Sequence, residues 1–354
     1  MKKTIVLKVD PDAPDMEAIR LAAKIIRNGG LVAFPTETVY GLGADALNPK
    51  AVRELFKAKK RPLDNPPIVH VAEVNDVYKL VRDVPAKAEK LMKRFWPGPL
   101  TLIFKRSKAV PDITVSGLDT IAIRMPKNKI ALLLIENSGC PIAAPSANIA
   151  GKPSPTTAEH VLEDLNGRID AILDGGPTQV GVESTVLDLT VNPPQILRPG
   201  GVSYEELKDA IGDVEIHPVA VAVKEQHIDQ ARSPGMKHKH YAPKAEMILV
   251  EGELYDVVNK IKELAALYKE KGWKIGVLAT DETISQYDFG VIKSLGSREN
   301  MAEMARNLFK RLREFDGEGV DVILAEGIPL KGLGLAIMNR LRKASGYNIV
   351  KASS

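Results

Sequence analysis

The residues best placed to do chemistry sit in short polar segments beside Pro and Gly, several of them just after a run that reads as a strand. Pro35-Thr36-Glu37-Thr38 follows Leu31–Phe34, Arg124-Met125-Pro126 ends Thr120–Arg124, and Ala144-Pro145-Ser146-Ala147-Asn148 ends Pro141–Ala144. Ser154-Pro155-Thr156, Glu183-Ser184-Thr185 and Arg198-Pro199-Gly200 come later. Lys57, Lys59, Lys60, Arg61 and Asn65 form a cationic cluster before the second strand. Ligands of open α/β sheets bind beyond the strand ends, so these segments could converge on one pocket. There Lys and Arg would hold phosphates, and Ser and Asn would orient them. Taken alone, Lys57–Arg61 is equally a solvated helix end, where cations favour the dipole. Several separate loops with the same chemistry tip the reading toward an anion site.

Other chemistries find less support. Gly41-Leu42-Gly43-Ala44-Asp45-Ala46 has the GxGxxA form of a dinucleotide fingerprint. Pro35–Tyr40 separates it from the strand, however, and the acid Asp64 falls before the next strand instead of at its end. Gly332-Leu333-Gly334 reads as a tight turn. No GxSxG elbow occurs, and His238-x-His240 lacks the partners of a metal site, so no metal-ligating set is expected. His70, inside a strand pattern, reads by default as a core histidine. The single cysteine, Cys140, excludes an internal disulfide and any Cys-rich zinc or iron–sulfur site.

The elements that must position these residues alternate along the chain. Met16–Ile26 has helical periodicity and stops at Gly29-Gly30. Lys50–Lys59, Val84–Phe95, Lys129–Asn137 and Thr157–Leu165 also read as helices. Strand patterns are Leu31–Phe34, Pro67–Val71, Leu100–Phe104, Thr120–Arg124, Pro141–Ala144, Ala171–Asp174 and Thr185–Leu189. One α/β domain over 1–212 with a twisted, mixed sheet and flanking helices follows. Residues 213–245 lack a clean period and read as a linker or a lid over the site. From 246 to 354 a second alternation predicts a small Rossmann-like doubly wound domain.

The composition is that of an ordinary soluble protein: 354 residues, 44% hydrophobic, 27% charged, and a net charge of +4. That balance argues against a protein that coats nucleic acid by bulk charge. Neither a signal core nor a run of about 20 apolar residues is present, which points to a cytoplasmic protein with no membrane partner.

A family likeness emerges from the longer motifs. PTETVYGLG at Pro35–Gly43, Lys59-x-Arg61 before Asn65-Pro66, Trp96–Thr101 (WPGPLT) and Pro141–Asn148 (PIAAPSAN) together resemble the YrdC-like domain. Pro153–Thr156 and Gly181–Thr185 extend the match, and SPGMKHKHYAP with the GLGLAIMNRLRKAS tail resembles the two-domain threonylcarbamoyl-AMP synthases. The resemblance implies an enzyme, a nucleotidyltransferase. It would make L-threonylcarbamoyl-AMP and pyrophosphate from L-threonine, bicarbonate or CO2, and ATP with Mg²⁺. A downstream threonylcarbamoyl-transferase complex would then modify the adenosine beside a tRNA anticodon.

The family's Lys-x-Arg plus Ser-x-Asn tetrad falls on Lys59, Arg61, Ser146 and Asn148 as the catalytic set. The implied ATP contacts are these four with Asn65, Ser154, Arg198 and Tyr241. The implied threonine contacts are Thr36, Thr38, His70, Arg124 and Ser184. Ser233–Pro243 is the expected lid, with Tyr241 reaching over the site. The second domain is expected to be regulatory or to support the lid. An RNA-binding module with a nucleotide pocket but no turnover is the rival class. Aromatic residues at 5% support base stacking poorly, although weak tRNA contact beside the enzyme activity is a further expectation. A fused carbamoyltransferase-type enzyme is disfavoured, because the extra zinc-finger cysteines and kinase-like modules of such fusions are missing.

Overall fold

The computed structural model describes residues 3–226, 231–236 and 240–352. These fall into two compact units, one of residues 3–150, 154–220 and 231–236, the other of 151–153, 221–226 and 240–352.

Among the described residues the first unit has one mixed sheet of eleven strands. They are β1 (Ile5–Lys8), β2 (Val32–Phe34), β3 (Gly41–Asp45), β4 (Val69–His70), β5 (Leu100–Lys105), β6 (Thr120–Arg124), β7 (Ile142–Ala143), β8 (Ala171–Asp174), β9 (Thr185–Asp188), β10 (Gln195–Arg198) and β11 (Glu215–Ile216). Side by side they run β1-β8-β2-β3-β7-β4-β6-β5-β9-β10-β11. The helices are α1 (Met16–Arg27), α2 (Pro49–Lys59), α3 (Val77–Leu80), α4 (Ala86–Phe95), α5 (Lys129–Ser138), α6 (Ala158–Leu165), α7 (Tyr204–Ile211) and α8 (Pro218–Val221).

Strand alternation divides the apolar residues between two faces. Ala33, Leu42, Ala44, Leu102, Ile123 and Leu187 join one core with α2, α4 and α6. Val32, Phe34 and Ile142 point the other way, onto Ile19, Ala22 and Ile26 of α1 and Ile130 and Leu134 of α5. Farther along that second face, Ile68, Ile103, Ala122, Val186 and Leu197 are covered by Val219, Ala231 and Met236. Arg232 ties this cover down by pairing with buried Asp188. The segment expected to be without regular structure thus contains β11 and α8, and residues 231–236 form a wall of the first unit.

The glycine-rich run with the form of a dinucleotide fingerprint is strand β3. An added Cβ at Gly43 would sit 2.9 Å from both Ile142 and Phe34, so close packing across the sheet explains the glycine.

In the second unit five parallel strands are ordered β14-β13-β15-β12-β16: β12 (Glu246–Glu251), β13 (Ile275–Ala279), β14 (Val291–Ser294), β15 (Val322–Glu326) and β16 (Ile349–Lys351). Their helices are α9 (Leu254–Glu270), α10 (Met301–Glu318) and α11 (Gly334–Ala344). No helix among the described residues is long and apolar enough to cross a membrane.

Candidate functional site

Helix α2 delivers the first cation. Asn48 caps its start by accepting from the Lys50 and Ala51 N–H groups, and Pro49 occupies the first turn. At its end Lys60 turns left-handed (φ 52°), with Lys60 N–H donating to Lys57 O and Arg61 N–H to Phe56 O. This paired C-terminal turn reverses the chain immediately after Lys59. Lys59 lies on the buried face of the helix, 1% exposed, and its ammonium donates to the carbonyls of Ser146 and Asn148. Burial, and then the Arg61 charge, hold its pKa well below that of an ordinary lysine, opposed by Asp164.

Arg61 is anchored on Asn65 O at 2.9 Å and Pro66 O at 3.2 Å. Asn65 itself is buried. The 145–148 loop is laced to β3 by Leu42 N–H to Pro145 O and Ala147 N–H to Tyr40 O, both 2.8 Å. The Lys-x-Arg and Ser-x-Asn segments are therefore neighbours, with Ser146 half-buried and Asn148 buried.

Parity along the sheet selects a second group. His70, Arg124, Thr101 and Ser184 stand on the same face as Ile68, Ala122, Ile103 and Val186. Arg124, opposite His70, donates from Nη1 to Thr38 Oγ1 at 3.0 Å and from Nε to Gly98 O at 3.2 Å. Its Nη2 stands 2.7 Å from Glu37 Oε1, an ion-pair contact lacking hydrogen-bond geometry. Thr36 Oγ1 lies 2.9 Å from Thr38 Oγ1 and donates to Val39 O. His70 is neutral: burial first, and then Arg124, push its pKa down to about 3, while Nδ1 lies 3.2 Å from Ile68 O.

Arg198 arrives by a different route. Ile196 pairs with Leu187, but Arg198 pairs with Val186, a register shift within β10. Such a bulge moves the next side chain to the other face. Here it directs Arg198 to Ser184, whose carbonyl accepts at 3.0 and 3.1 Å and whose hydroxyl accepts at 3.2 Å. Ser184 Oγ is also 2.8 Å from Thr101 Oγ1, and Ser154 Oγ donates to Glu183. Gly200 permits the approach, since a Cβ there would lie 2.3 Å from main-chain atoms of Glu183, Ser184 and Thr185.

Buried around these loops are Lys59, Arg61, Arg124 and Arg198, against the carboxylates Glu37, Glu183 and Asp164. The three guanidiniums balance the three carboxylates, so protonation of Lys59 is what makes the loops positive and suited to an anion.

Tyr241 belongs to the second unit. Its ring packs 5.3 Å from Phe309, and the Arg340 guanidinium lies 5.5 Å from its centroid. In the expected lid, Ser233–Met236 are buried in the first unit, while Lys237, His238 and Lys239 lie outside the described residues. Sequence reasoning missed Glu37 and Thr101. The signal for Glu37 was a lone carboxylate between two threonines just after a strand pattern.

Residues 24–200 match the Sua5/YciO/YrdC family, described as "Telomere recombination", and residues 202–346 match "Threonylcarbamoyl-AMP synthase, C-terminal domain". The threonylcarbamoyl-AMP synthase of Pyrococcus abyssi is 57% identical over 94% of this chain and 95% of its own length. The chain belongs to the threonylcarbamoyl-AMP synthase family. The Bacillus subtilis member is 48% identical over 94% of both chains. The crystal structure of P. abyssi Sua5 complexed with L-threonine superposes with a TM-score of 0.94 at 54% identity, covering 99% of this chain and 100% of that one. Membership makes this chain an enzyme with a YrdC-like domain and confirms the α/β fold expected from its motifs.

Proposed function

We propose that this enzyme joins L-threonine, bicarbonate and ATP into L-threonylcarbamoyl-AMP and pyrophosphate. Threonine's amine, once carboxylated, presents a carbamate oxygen that attacks the α-phosphorus of ATP. A P–O bond forms there, and the bond to the β,γ-diphosphate breaks. Two anions must meet, so positive charge held ready at the α-phosphate is the first requirement. The observation that carries this reading is the buried Lys59 Nζ, fixed on the Ser146 and Asn148 carbonyls beside the Arg61 segment. A donor oriented before substrate arrives, whose ammonium form a bound triphosphate favours, costs little reorganisation during reaction.

In this reading Lys59, Arg61, Asn65, Ser146, Asn148, Ser154 and Arg198 receive the nucleotide. Thr36, Thr38, His70, Arg124 and Ser184 receive the amino acid, with Arg124 opposite its carboxylate. Neutral His70 and the threonine hydroxyls suit the substrate hydroxyl. A site that hydrogen-bonds this group rejects valine strongly and serine weakly. The relative solved with L-threonine supports threonine as the amino acid substrate.

Magnesium enters as part of the nucleotide substrate. Glu37 is engaged with Arg124 and Glu183 with Ser154. Among the described residues no group of three or more His, Cys, Asp or Glu side chains is placed to cage a metal. The triphosphate oxygens would carry the ion. The product, a labile mixed anhydride, calls for an acceptor enzyme. A cytoplasmic transferase acting on a tRNA adenosine fits that need, with any tRNA contact by this chain weak. With ¹³C-bicarbonate, mass spectrometry should find one label in a threonine-containing AMP product. An unlabelled product, or AMP alone, would contradict the reaction.

A further inference from the structure

The sheet of the second unit has a topological switch point, and a cavity lies on it. From β12 the chain crosses through α9 to β13, toward one edge, and from β15 through α11 to β16, toward the other. Right-handed crossovers running in opposite directions place their helices on opposite faces. The packing agrees. Val257, Val258 and Ile261 of α9 share a core with Val277, whereas Phe315 of α10, which packs on α11, lies against Gly276 on the other face. Strands β12 and β15 are neighbours, with Val250 opposite Glu326. The chain therefore leaves them in opposite directions, and doubly wound sheets bind ligands in the crevice this opens.

A cavity of about 560 Å³ fills that position, walled by Gly252–Leu254 after β12 and Gly327–Leu330 after β15. Its size is that of an ordinary small-molecule pocket. Arg298, Arg342 and Lys351 supply cations, and Ile328, Leu330 and Met338 supply an apolar wall. Arg342 grips both oxygens of Glu251, at 2.7 and 3.2 Å, and Lys351 Nζ reaches Oε2 of the same carboxylate. Arg298 pairs with Glu326 at 3.1 Å. Three cations thus face two buried carboxylates, with Glu253 exposed at the rim. Helix α9 starts in the wall without a side-chain cap, so its first-turn N–H groups add positive potential.

We propose that this cavity binds a small organic phosphomonoester, its phosphate against Lys351 and Arg298 and its organic part along Ile328, Leu330 and Met338. The site gives the second unit a ligand-sensing task beyond the synthase reaction.

The test uses the full chain with ¹³C-methyl methionine and adenosine monophosphate as the probe. Met338 reports on this cavity, and Met125, beside Arg124, reports on the first unit. The nucleotide should move the Met338 resonance with a dissociation constant at or below about 1 mM. Lys351→Glu, at a side chain 64% exposed, should stay folded despite losing its pairing with Glu251 and weaken that binding about tenfold or more. Leu330→Asp should weaken it as well. A Met338 resonance unmoved up to about 10 mM, or equally moved in Lys351→Glu, would overturn the site. Movement with inorganic phosphate but not with the nucleotide would overturn the phosphomonoester. A change at Met125 alone assigns the binding to the synthase site and overturns the inference without touching the reaction.

Discussion

The guanidinium of Arg124 and the carboxylate of Glu37 stand 2.7 Å apart inside the protein, each side chain only 4% exposed. With Thr38 Oγ1 and Gly98 O, the carboxylate fixes the arginine plane. Glu37→Gln leaves a buried guanidinium short of its counter-charge, at a cost of about 3–5 kcal/mol. Denaturant unfolding should show that loss. Calorimetry should show weakened threonine binding with nucleotide binding retained, and unchanged threonine affinity would remove Glu37 from the positioning of Arg124.

Replacing Lys59 by Met keeps most of the buried stem and removes the charge. Pyrophosphate release should fall about 10²–10³-fold, the loss expected for one preorganised group. The depressed Lys59 pKa also sets a sign. Between the folded value and that of a free lysine, the unfolded chain binds the extra proton, so stability rises with pH across that window. Bound triphosphate favours the ammonium and should move the alkaline limb of turnover to higher pH in the nucleotide complex than in the free enzyme. Limbs that coincide would mean that Lys59 does not face the phosphates.

His70 should stay neutral in the folded protein down to about pH 3. Its imidazole NMR signals should be flat from pH 5 to 8. Because the unfolded chain protonates near 6.5, this residue makes the fold lose roughly 1.4 kcal/mol per pH unit as pH falls from about 6.5 toward about 3. A midpoint near neutrality would contradict the burial argument.

Gly200→Ala introduces a Cβ that meets three main-chain atoms of the 183–185 segment at 2.3 Å. No flexible side chain can yield there, so the 183–185 segment must move. Stability should drop by about 1–3 kcal/mol, and turnover should fall with it. Wild-type kinetics would show that the close approach is unnecessary.

Much of this was legible in the chain, for identifiable reasons. Long apolar runs such as Thr120–Arg124 and Lys129–Asn137 coincide with β6 and α5, and residues at strand ends such as Arg124, Asn148 and Ser184 carry their chemistry in their type. Elements set by partners were not legible. Strand β1 is mostly exposed and exists by pairing with β8. Strand β3 hides in glycines that only its neighbours explain. The bulge that turns Arg198 toward Ser184 is a matter of register, which no local pattern reports. Residues 231–236 look like a linker because the sheet face they cover lies elsewhere in the sequence.

The most direct test of the account is pyrophosphate release from ATP with threonine and bicarbonate supplied together, then with each omitted in turn. Release should occur only when both are present. ATP hydrolysis indifferent to threonine, or no turnover with both supplied, would contradict it and leave the pocket as a nucleotide site serving another purpose.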